Sequence, residues 1–313
     1  KTLLTIHNMA YQGMFSKDKF PLLGLAGKYF TMDYLEFYNK VNLLKGGIVF
    51  SDLVNTVSHT YAKQIQTAEY GCGLEGVLSW QKSKLLGILN AIDYDIWDPK
   101  NDEFIYKTYS SKTLKDKAVN KQELQEELGL NQDSNTLVLG MVSRLAEQKG
   151  IDILSKALDQ ILKTHQVVIL GLGEEKYHNI LEAKAKKFKN LSLHLKFNEA
   201  LAHKIYAGSD LFLLPSRFEP CGLSQMISYK YATVPLVHHT GGLVDTVKDV
   251  SKGGGGFVFH KYQSSDLVSA VERAKKLFSD TDKWSEVLKR IVQYNFSWEK
   301  AADNYIEVYK GLK

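Results

Sequence analysis

The sequence is poor in cysteine and proline, and it contains no long apolar run. Its two cysteines, Cys72 and Cys221, cannot build a disulfide framework, so a reducing compartment, the cytoplasm, is the expected location. Five prolines among 313 residues exclude a collagen-like or proline-rich protein. No window reaches the roughly 18 consecutive apolar residues of a membrane helix, so no membrane partner is expected.

A strong excess of charge of one sign is also missing. Lysine and arginine number 40 against 35 acidic residues, which gives a net charge of +5. Nucleic-acid binding usually needs a concentrated basic stripe, so no nucleic-acid partner is expected. What is present is an ordinary globular composition, with 44% hydrophobic residues and 24% charged residues. The length predicts two domains.

Short apolar runs alternate with amphipathic segments of helical length. This alternation, with several runs apolar throughout, predicts an α/β protein with parallel, doubly wound, Rossmann-like sheets. The predicted strands are 3–6, 53–56, 85–88, 136–142, 166–170, 191–195, 211–214 and 236–238. The predicted helices are 116–128, 152–163, 175–188, 199–208, 224–231, 265–278, 283–294 and 298–312.

A polar, turn-forming stretch at 129–135 marks a domain boundary. The predicted first domain is 1–132, and the predicted second domain is 133–295, followed by a C-terminal segment 296–313. The second domain has enough strand–helix units for a complete Rossmann-like fold. The first has about three strands, so we expect it to be incomplete at its N-terminus.

Two cations follow the predicted strand 136–142. Arg144 offers a fork of donors that suits phosphate, and Lys149 offers a point charge on a flexible stem. Ligands in open α/β sheets bind where strands end, so the pair suits a diphosphate. The alternative is that both side chains are simply solvated on a loop.

A carboxylate follows the predicted strand 211–214, directly before a helix. Glu219 could accept hydrogen bonds from a sugar hydroxyl, while the helix start offers free N–H groups to an anion. A mere helix cap is the alternative. Cys221 has no adjacent base in the sequence, which favours a packed thiol over a nucleophile.

Weaker candidates follow other strands. The paired glycines after Thr240 allow a ligand to approach the backbone, although a plain turn is equally consistent. The run Gly253 to Gly256 is interpreted as a surface loop, and His7 as a possible donor to a sugar or phosphate. No His, Cys, Asp and Glu set has metal-ligand spacing, so neither a metal nor another cofactor is expected.

Taken together and in order, these segments resemble the bacterial glycogen synthase and plant starch synthase family. The matching stretches are HNMAYQG at 7–13, NLLKGGIVFSD at 42–52, YGCGLEG at 70–76, LNAIDYDIWDP at 89–99, SRLAEQKGID at 143–152, PSRFEPCGLSQ at 215–225, TGGLVDTV at 240–247 and FSWEKAADNY at 296–305. The resemblance implies a GT-B fold, in which two Rossmann-like domains face a cleft and the C-terminal helix crosses back to the first. It also implies transfer of glucose from ADP-glucose to the non-reducing end of glycogen or another α-1,4-glucan, with retention of configuration and without a metal.

The resemblance also implies roles for individual residues. The implied catalytic residues are His7, Arg144, Lys149 and Glu219. The implied donor-binding residues are Phe197, which would stack on adenine, and Cys221, Gly222, Leu223, Ser224, Thr240, Gly241 and Gly242. The implied sugar or acceptor residues are Asn90, Glu75 and Gln12.

The sequence departs from the family pattern in places. The family's N-terminal lysine–glycine-rich loop is absent, Ala91 replaces a glycine, and Ser224 replaces a common threonine. Two other functions stay open. One is another nucleotide-sugar glycosyltransferase of the same fold, although the second glutamate that many of those carry is here Ile227. The other is a nucleotide- or glucan-binding fragment with little activity alone.

Overall fold

A computed structural model describes residues 1–312, which divide into two compact units. Unit 1 comprises residues 1–90 together with the C-terminal segment from Glu299, and unit 2 is Ala91–Trp298. Among the described residues, no helix combines the length and the apolar character that crossing a membrane requires.

Unit 1 contains a small parallel sheet and a small antiparallel sheet in its described residues. The parallel strands β1 (Leu3–Ile6), β5 (Leu53–Thr56) and β6 (Leu85–Gly87) lie in the order β1-β5-β6. The antiparallel sheet has β4 (Lys40–Asn42) between β2 (Met14–Ser16) and β3 (Glu36–Phe37). The helices are α1 (Leu43–Phe50), α2 (His59–Gln64), α3 (Glu75–Trp80) and most of α12 (Trp298–Gly311).

Unit 2 is a doubly wound α/β domain. Over its described residues the strands are β7 (Val138–Val142), β8 (Gln166–Leu170), β9 (Leu191–His194), β10 (Leu211–Leu214), β11 (Val234–His238) and β12 (Phe257–Phe259). The helices are α4 (Lys117–Glu127), α5 (Ile151–Ile161), α6 (Glu175–Lys187), α7 (Glu199–Gly208), α8 (Ser224–Lys230), α9 (Gly241–Thr246), α10 (Ser264–Phe278) and α11 (Thr281–Ile291).

The sheet of unit 2 is parallel, with the order β12-β11-β10-β7-β8-β9. From the centre, the chain moves outward through β8 and β9 on one side, and through β11 and β12 on the other. The order therefore reverses between β7 and β10, where doubly wound sheets bind their ligands, beyond the carboxyl ends of the strands. Strands β8, β10 and β11 are buried along their whole length, which is why their residues are apolar apart from Gln166 and His238 at the ends of two of them.

The structure has elements that the sequence pattern did not predict. The strands β2, β3, β4 and β12 and the helices α1, α2 and α3 are short, so they leave little periodicity. The interpretation of Gly253 to Gly256 as a surface loop is wrong, because Gly254–Gly256 are buried. A Cβ on Gly254 would lie 2.0 Å from the carbonyl oxygen of Lys248, so this glycine is required where two chain segments touch.

The predicted boundary at 132/133 and the compact units divide the chain at different places, because helix α4 belongs to unit 2. Lys117 of α4 is buried and donates to the carbonyl oxygen of Ala207, at 2.6 Å, and to the Thr233 hydroxyl, at 2.7 Å. Lys121 forms an ion pair with Asp210 at 2.8 Å. Two buried lysine contacts thus fasten α4 to the sheet that follows it. At the other end, the Asn55 amide donates to the Tyr305 hydroxyl of α12 at 3.3 Å within unit 1.

Candidate functional site

The loops after β7 and β10 touch one another at the point where the strand order of unit 2 reverses. Gly150 adopts a left-handed backbone conformation with φ +76°, and a Cβ there would lie 2.0 Å from the carbonyl oxygen of Pro215. The backbone N–H of Arg217 donates to the carbonyl oxygen of Gln148 at 2.9 Å. The two loops therefore form one continuous surface at the carboxyl edge of the sheet.

Lys149 and Glu219 meet on this surface. The ammonium of Lys149 lies 2.7 Å from Glu219 Oε2, and the Ser216 hydroxyl donates to the same oxygen at 2.9 Å. Glu219 is 5% exposed, so its charge depends on these partners. Since both hydrogen bonds reach Oε2, the other oxygen, Oε1, has no hydrogen bond within residues 1–312. The site thus holds a cation beside a carboxylate with one oxygen left for a ligand.

Arg144 lies on the same loop as Lys149 and is exposed. Its guanidinium donates to the Gln148 side-chain oxygen at 3.3 Å. The structure therefore brings Arg144, Lys149 and Glu219, which the sequence placed in two separate segments, to one edge of one sheet. Fixed cations at this position suit the oxygens of a diphosphate.

The loop from Glu219 to α8 is held against α9. The Gly242 N–H donates to the Glu219 carbonyl oxygen at 2.9 Å, and a Cβ on Gly242 would lie 2.2 Å from the Cys221 carbonyl oxygen. The Gln225 amide donates to the carbonyl oxygens of Cys221, at 3.1 Å, and Gly222, at 2.8 Å. Cys221 itself is buried, as a packed thiol would be.

The remaining donor-site candidates lie near the starts of helices α7, α8 and α9. Thr240 is buried directly before α9. At the start of α8, Leu223 is exposed and Ser224 is partly exposed. Phe197 follows β9 and is 85% exposed, beside Asn198, whose side chain caps α7 by accepting from the Leu201 N–H at 3.0 Å. A large aromatic ring so exposed on a capped helix start offers an open stacking surface.

A cluster of side-chain contacts that the sequence did not reveal stabilises the loop that carries Lys149. The guanidinium of Arg217 lies 4.6 Å from the centre of the Tyr262 ring and pairs with Glu147 at 3.0 Å and Asp152 at 3.3 Å. The Tyr262 hydroxyl donates to Asp152 at 2.5 Å. Tyr262 lies far along the chain, after β12, so no local pattern connects it with Lys149.

Two candidate residues of unit 1, Gln12 and Glu75, differ in the hydrogen bonding of their side chains. The Gln12 amide donates to the carbonyl oxygens of Met9, at 3.1 Å, and Cys72, at 2.9 Å, and its oxygen accepts from the Asn42 amide at 2.6 Å. Gln12 therefore joins three chain segments and has its polar atoms engaged. Glu75 begins α3, and its Oε2 is buried without a hydrogen-bond partner in the described residues.

The other two unit 1 candidates lie after strands. His7 is exposed directly after β1, and Asn90 is half-buried beyond β6. Among residues 1–312, no group of three or more His, Cys, Asp and Glu side chains could hold a metal ion.

A Rossmann-like sheet with a cation–carboxylate pair where its strand order reverses, in a chain with a second parallel sheet, fits the GT-B class of α/β proteins. Residues 120–298 match the family model described as glycosyl transferases group 1, and residues 1–80 match the model of the starch synthase catalytic domain. The chain belongs to the glycosyl transferases group 1 family, among the glycogen and starch synthases.

Individual relatives agree with this assignment. The chain is 47% identical to glycogen synthases of Geotalea uraniireducens and Thermotoga petrophila, over 98% and 99% of its own length and 65% of theirs. The catalytic domain of starch synthase IV from Arabidopsis thaliana, solved bound to ADP and acarbose, matches with a TM-score of 0.94 and 37% identity. That match covers 98% of this chain and 66% of the other. The chain thus spans about 65% of the length of the curated relatives it matches. The predicted family and GT-B fold class are confirmed.

Replacing Gly150 with alanine should separate the two loops of the site. The added Cβ would meet the Pro215 carbonyl oxygen, and the left-handed backbone is unfavourable for alanine. We expect a loss of about 3 kcal/mol in the free energy of unfolding of unit 2. Chemical denaturation measures this loss.

The matched control is Gly129→Ala, since Gly129 has a similar φ of +65° but no atom within 4 Å of an added Cβ. It should cost only about 1–2 kcal/mol, the price of the backbone conformation. Equal losses for the two variants would show that the contact with Pro215 contributes nothing.

Proposed function

We propose that the protein transfers glucose from ADP-glucose to the non-reducing end of an α-1,4-glucan such as glycogen, with retention of configuration. The observation that carries this proposal is the Lys149–Glu219 pair at the strand reversal, at 2.7 Å, in a chain so similar to a starch synthase solved with ADP and acarbose. A cytoplasmic location stays a prediction that rests on the two cysteines.

In this proposal, Arg144 and Lys149 bind the diphosphate of the donor. Breaking the bond between C1 of glucose and the phosphate oxygen leaves both bonding electrons on ADP, whose terminal phosphate gains negative charge. Cations already fixed by the fold stabilise that charge more in the transition state than in the ground state. The bracing of this loop by Arg217 and Tyr262 keeps the ammonium of Lys149 at its place.

Glu219 is proposed to hold the donor glucose through Oε1, while Oε2 stays engaged with Lys149 and Ser216. A carboxylate so engaged is a poor nucleophile, so we favour departure of ADP and attack of the acceptor on the same face of the sugar. The acceptor hydroxyl oxygen forms the new bond to C1, and its proton passes to the leaving phosphate oxygen. His7 and Asn90 are proposed to orient the sugar, and Glu75, which is half-buried at the start of α3, to contact the acceptor.

Phe197 is proposed to stack on the adenine of the donor, and Phe197→Ala tests this role. One base stacked on an aromatic ring contributes about 1–3 kcal/mol, so the affinity for ADP should fall roughly tenfold or more. Because Phe197 is 85% exposed, the thermal stability of the variant should not change. Tyr309→Ala, which removes another exposed ring in unit 1, is the control. Equal ADP affinities for wild type and Phe197→Ala would place the adenine elsewhere.

The transfer of radiolabel to glycogen tests the function itself, with the protein expressed from its own gene. We expect incorporation from ADP-glucose and little from UDP-glucose. Equal or better use of UDP-glucose would favour the wider class of nucleotide-sugar glycosyltransferases. Binding of ADP or glycogen without any transfer would favour the binding-only function.

A further inference from the structure

His238, the last residue of β11, contacts two carbonyl oxygens. Its Nδ1 lies 2.8 Å from the carbonyl oxygen of Ser216, and its Nε2 lies 3.3 Å from the carbonyl oxygen of His260. Carbonyl oxygens only accept hydrogen bonds, and a neutral imidazole has one N–H. The shorter contact therefore receives the proton, so the neutral ring carries it on Nδ1.

The surroundings of the ring favour this neutral form. His238 is 7% exposed, with the rings of Phe259 and Tyr262 each 5.3 Å away. Burial lowers the pKa of His238, and the neighbouring His260 lowers it further, against the two carbonyl contacts that raise it. At neutral pH the side chain is accordingly an uncharged donor with a fixed direction.

Ser216, whose carbonyl oxygen contacts His238, also donates a hydrogen bond to Glu219. Ser216 is the second residue after β10, and its hydroxyl donates to Glu219 Oε2 at 2.9 Å. The residue before it, Pro215, has no N–H with which to anchor this turn. A donor from the next strand, β11, therefore fixes the carbonyl of Ser216, and with it the direction of the Ser216 side chain.

We propose that His238 is a positioning residue that acts through Ser216 to hold Glu219 with Oε1 turned toward the donor sugar. The chain of contacts runs from the end of β11 to the loop after β10 and ends at Glu219 Oε2, the oxygen that also contacts Lys149. Its effect on sugar binding rests on the proposed function. The contact between His238 and Ser216 does not.

The first test uses the unmodified protein. Nitrogen-15 NMR of the histidine side chains reports which ring nitrogen carries the proton at neutral pH. We expect His238 in the Nδ1–H form, assigned by the signals that vanish in His238→Asn. The more usual Nε2–H form would overturn the proposal, whatever the protein binds.

The second test compares three substitutions. His238→Asn keeps an N–H donor at the position of Nδ1, His238→Gln places it one bond further out, and His238→Phe keeps a ring without a donor. The dissociation constants of ADP and ADP-glucose are measured for each. We expect the phenylalanine and glutamine variants to bind ADP normally but ADP-glucose about tenfold more weakly, the size of one lost hydrogen bond to a charged group. Asparagine should restore the affinity for ADP-glucose.

The outcomes separate the two proposals. An equal loss of affinity for ADP and for ADP-glucose would mean that His238 only supports the fold, and would overturn the positioning role. So would a failure of His238→Asn to restore the affinity for ADP-glucose. If the wild type binds neither ligand, the proposed function fails, while the NMR measurement still decides whether His238 donates to Ser216. If His238→Phe does not fold, the comparison of asparagine with glutamine still answers the question.

Discussion

Replacing Lys149 with alanine should lower the turnover of glucosyl transfer by roughly a hundredfold to a thousandfold, which is the usual effect of removing one group that stabilises developing charge. The affinity for ADP-glucose should fall much less, because in our proposal the ammonium contributes most when the bond to ADP breaks. Turnover and donor dissociation constant are measured separately on the protein expressed from its own gene. Lys156→Ala removes an exposed lysine of α5 and should change neither.

The size of this effect depends on where the fold places Lys149. It is braced by the Arg217–Tyr262 cluster through Glu147 and Asp152, and its partner Glu219 is buried. Removing it leaves a buried carboxylate without its cation, so the variant should also lose some stability. An equal loss in binding and in turnover would show uniform binding of the donor and would contradict a role in stabilising the leaving group.

Replacing Glu219 with glutamine should change ADP binding and glucosyl transfer in opposite directions. The ammonium of Lys149 is shared between Glu219 and the diphosphate in our proposal, so removing the carboxylate charge frees it for ADP and raises the affinity for ADP. Transfer should fall by roughly ten- to a hundredfold, because the hold on the donor glucose loses a charged acceptor. Glu272→Gln, an exposed site on α10, is the matched control.

The Glu219→Gln variant and the wild type together distinguish the same-face mechanism from a two-step mechanism. Residual transfer by Glu219→Gln, with no glucose attached to the wild-type protein after rapid quenching, is the expected result. Glucose bound covalently to Glu219, detected by mass spectrometry, would overturn the same-face mechanism and favour the two-step route of retaining glycosidases. Weaker ADP binding by the glutamine variant would contradict the shared role of Lys149.

The sequence located most of the long elements of unit 2 because their patterns are strong. Strands β8 and β10 were predicted with the bounds that the structure gives, and so was helix α7, since buried parallel strands are mainly apolar and helices are amphipathic. The pattern missed β12, a strand of three residues, because its flanking glycines look like a loop until the buried contacts of Gly254 and Gly256 are seen.

The separate motifs that carry Arg144, Lys149 and Glu219 were visible in the sequence because each follows a strand directly, where α/β proteins place ligands. The contact between Lys149 and Glu219 was not visible in the sequence. The distance of 2.7 Å between Lys149 and Glu219 arises because β7 and β10 are neighbours in the sheet, although the two residues are 70 positions apart in the sequence. The pairing of strands is set by the whole sheet rather than by a local pattern.

What the sequence by itself determined is therefore the family, the α/β class, and the residue types at the strand ends. The tertiary structure decided which of them act together: Lys149 with Glu219, Ser216 with His238, and α4 with the sheet of unit 2. The physical reason is that hydrophobic periodicity and turn preferences are local, whereas hydrogen bonds and ion pairs between loops depend on strand order. That order is fixed by burial over the whole domain, so a single segment of sequence does not contain it.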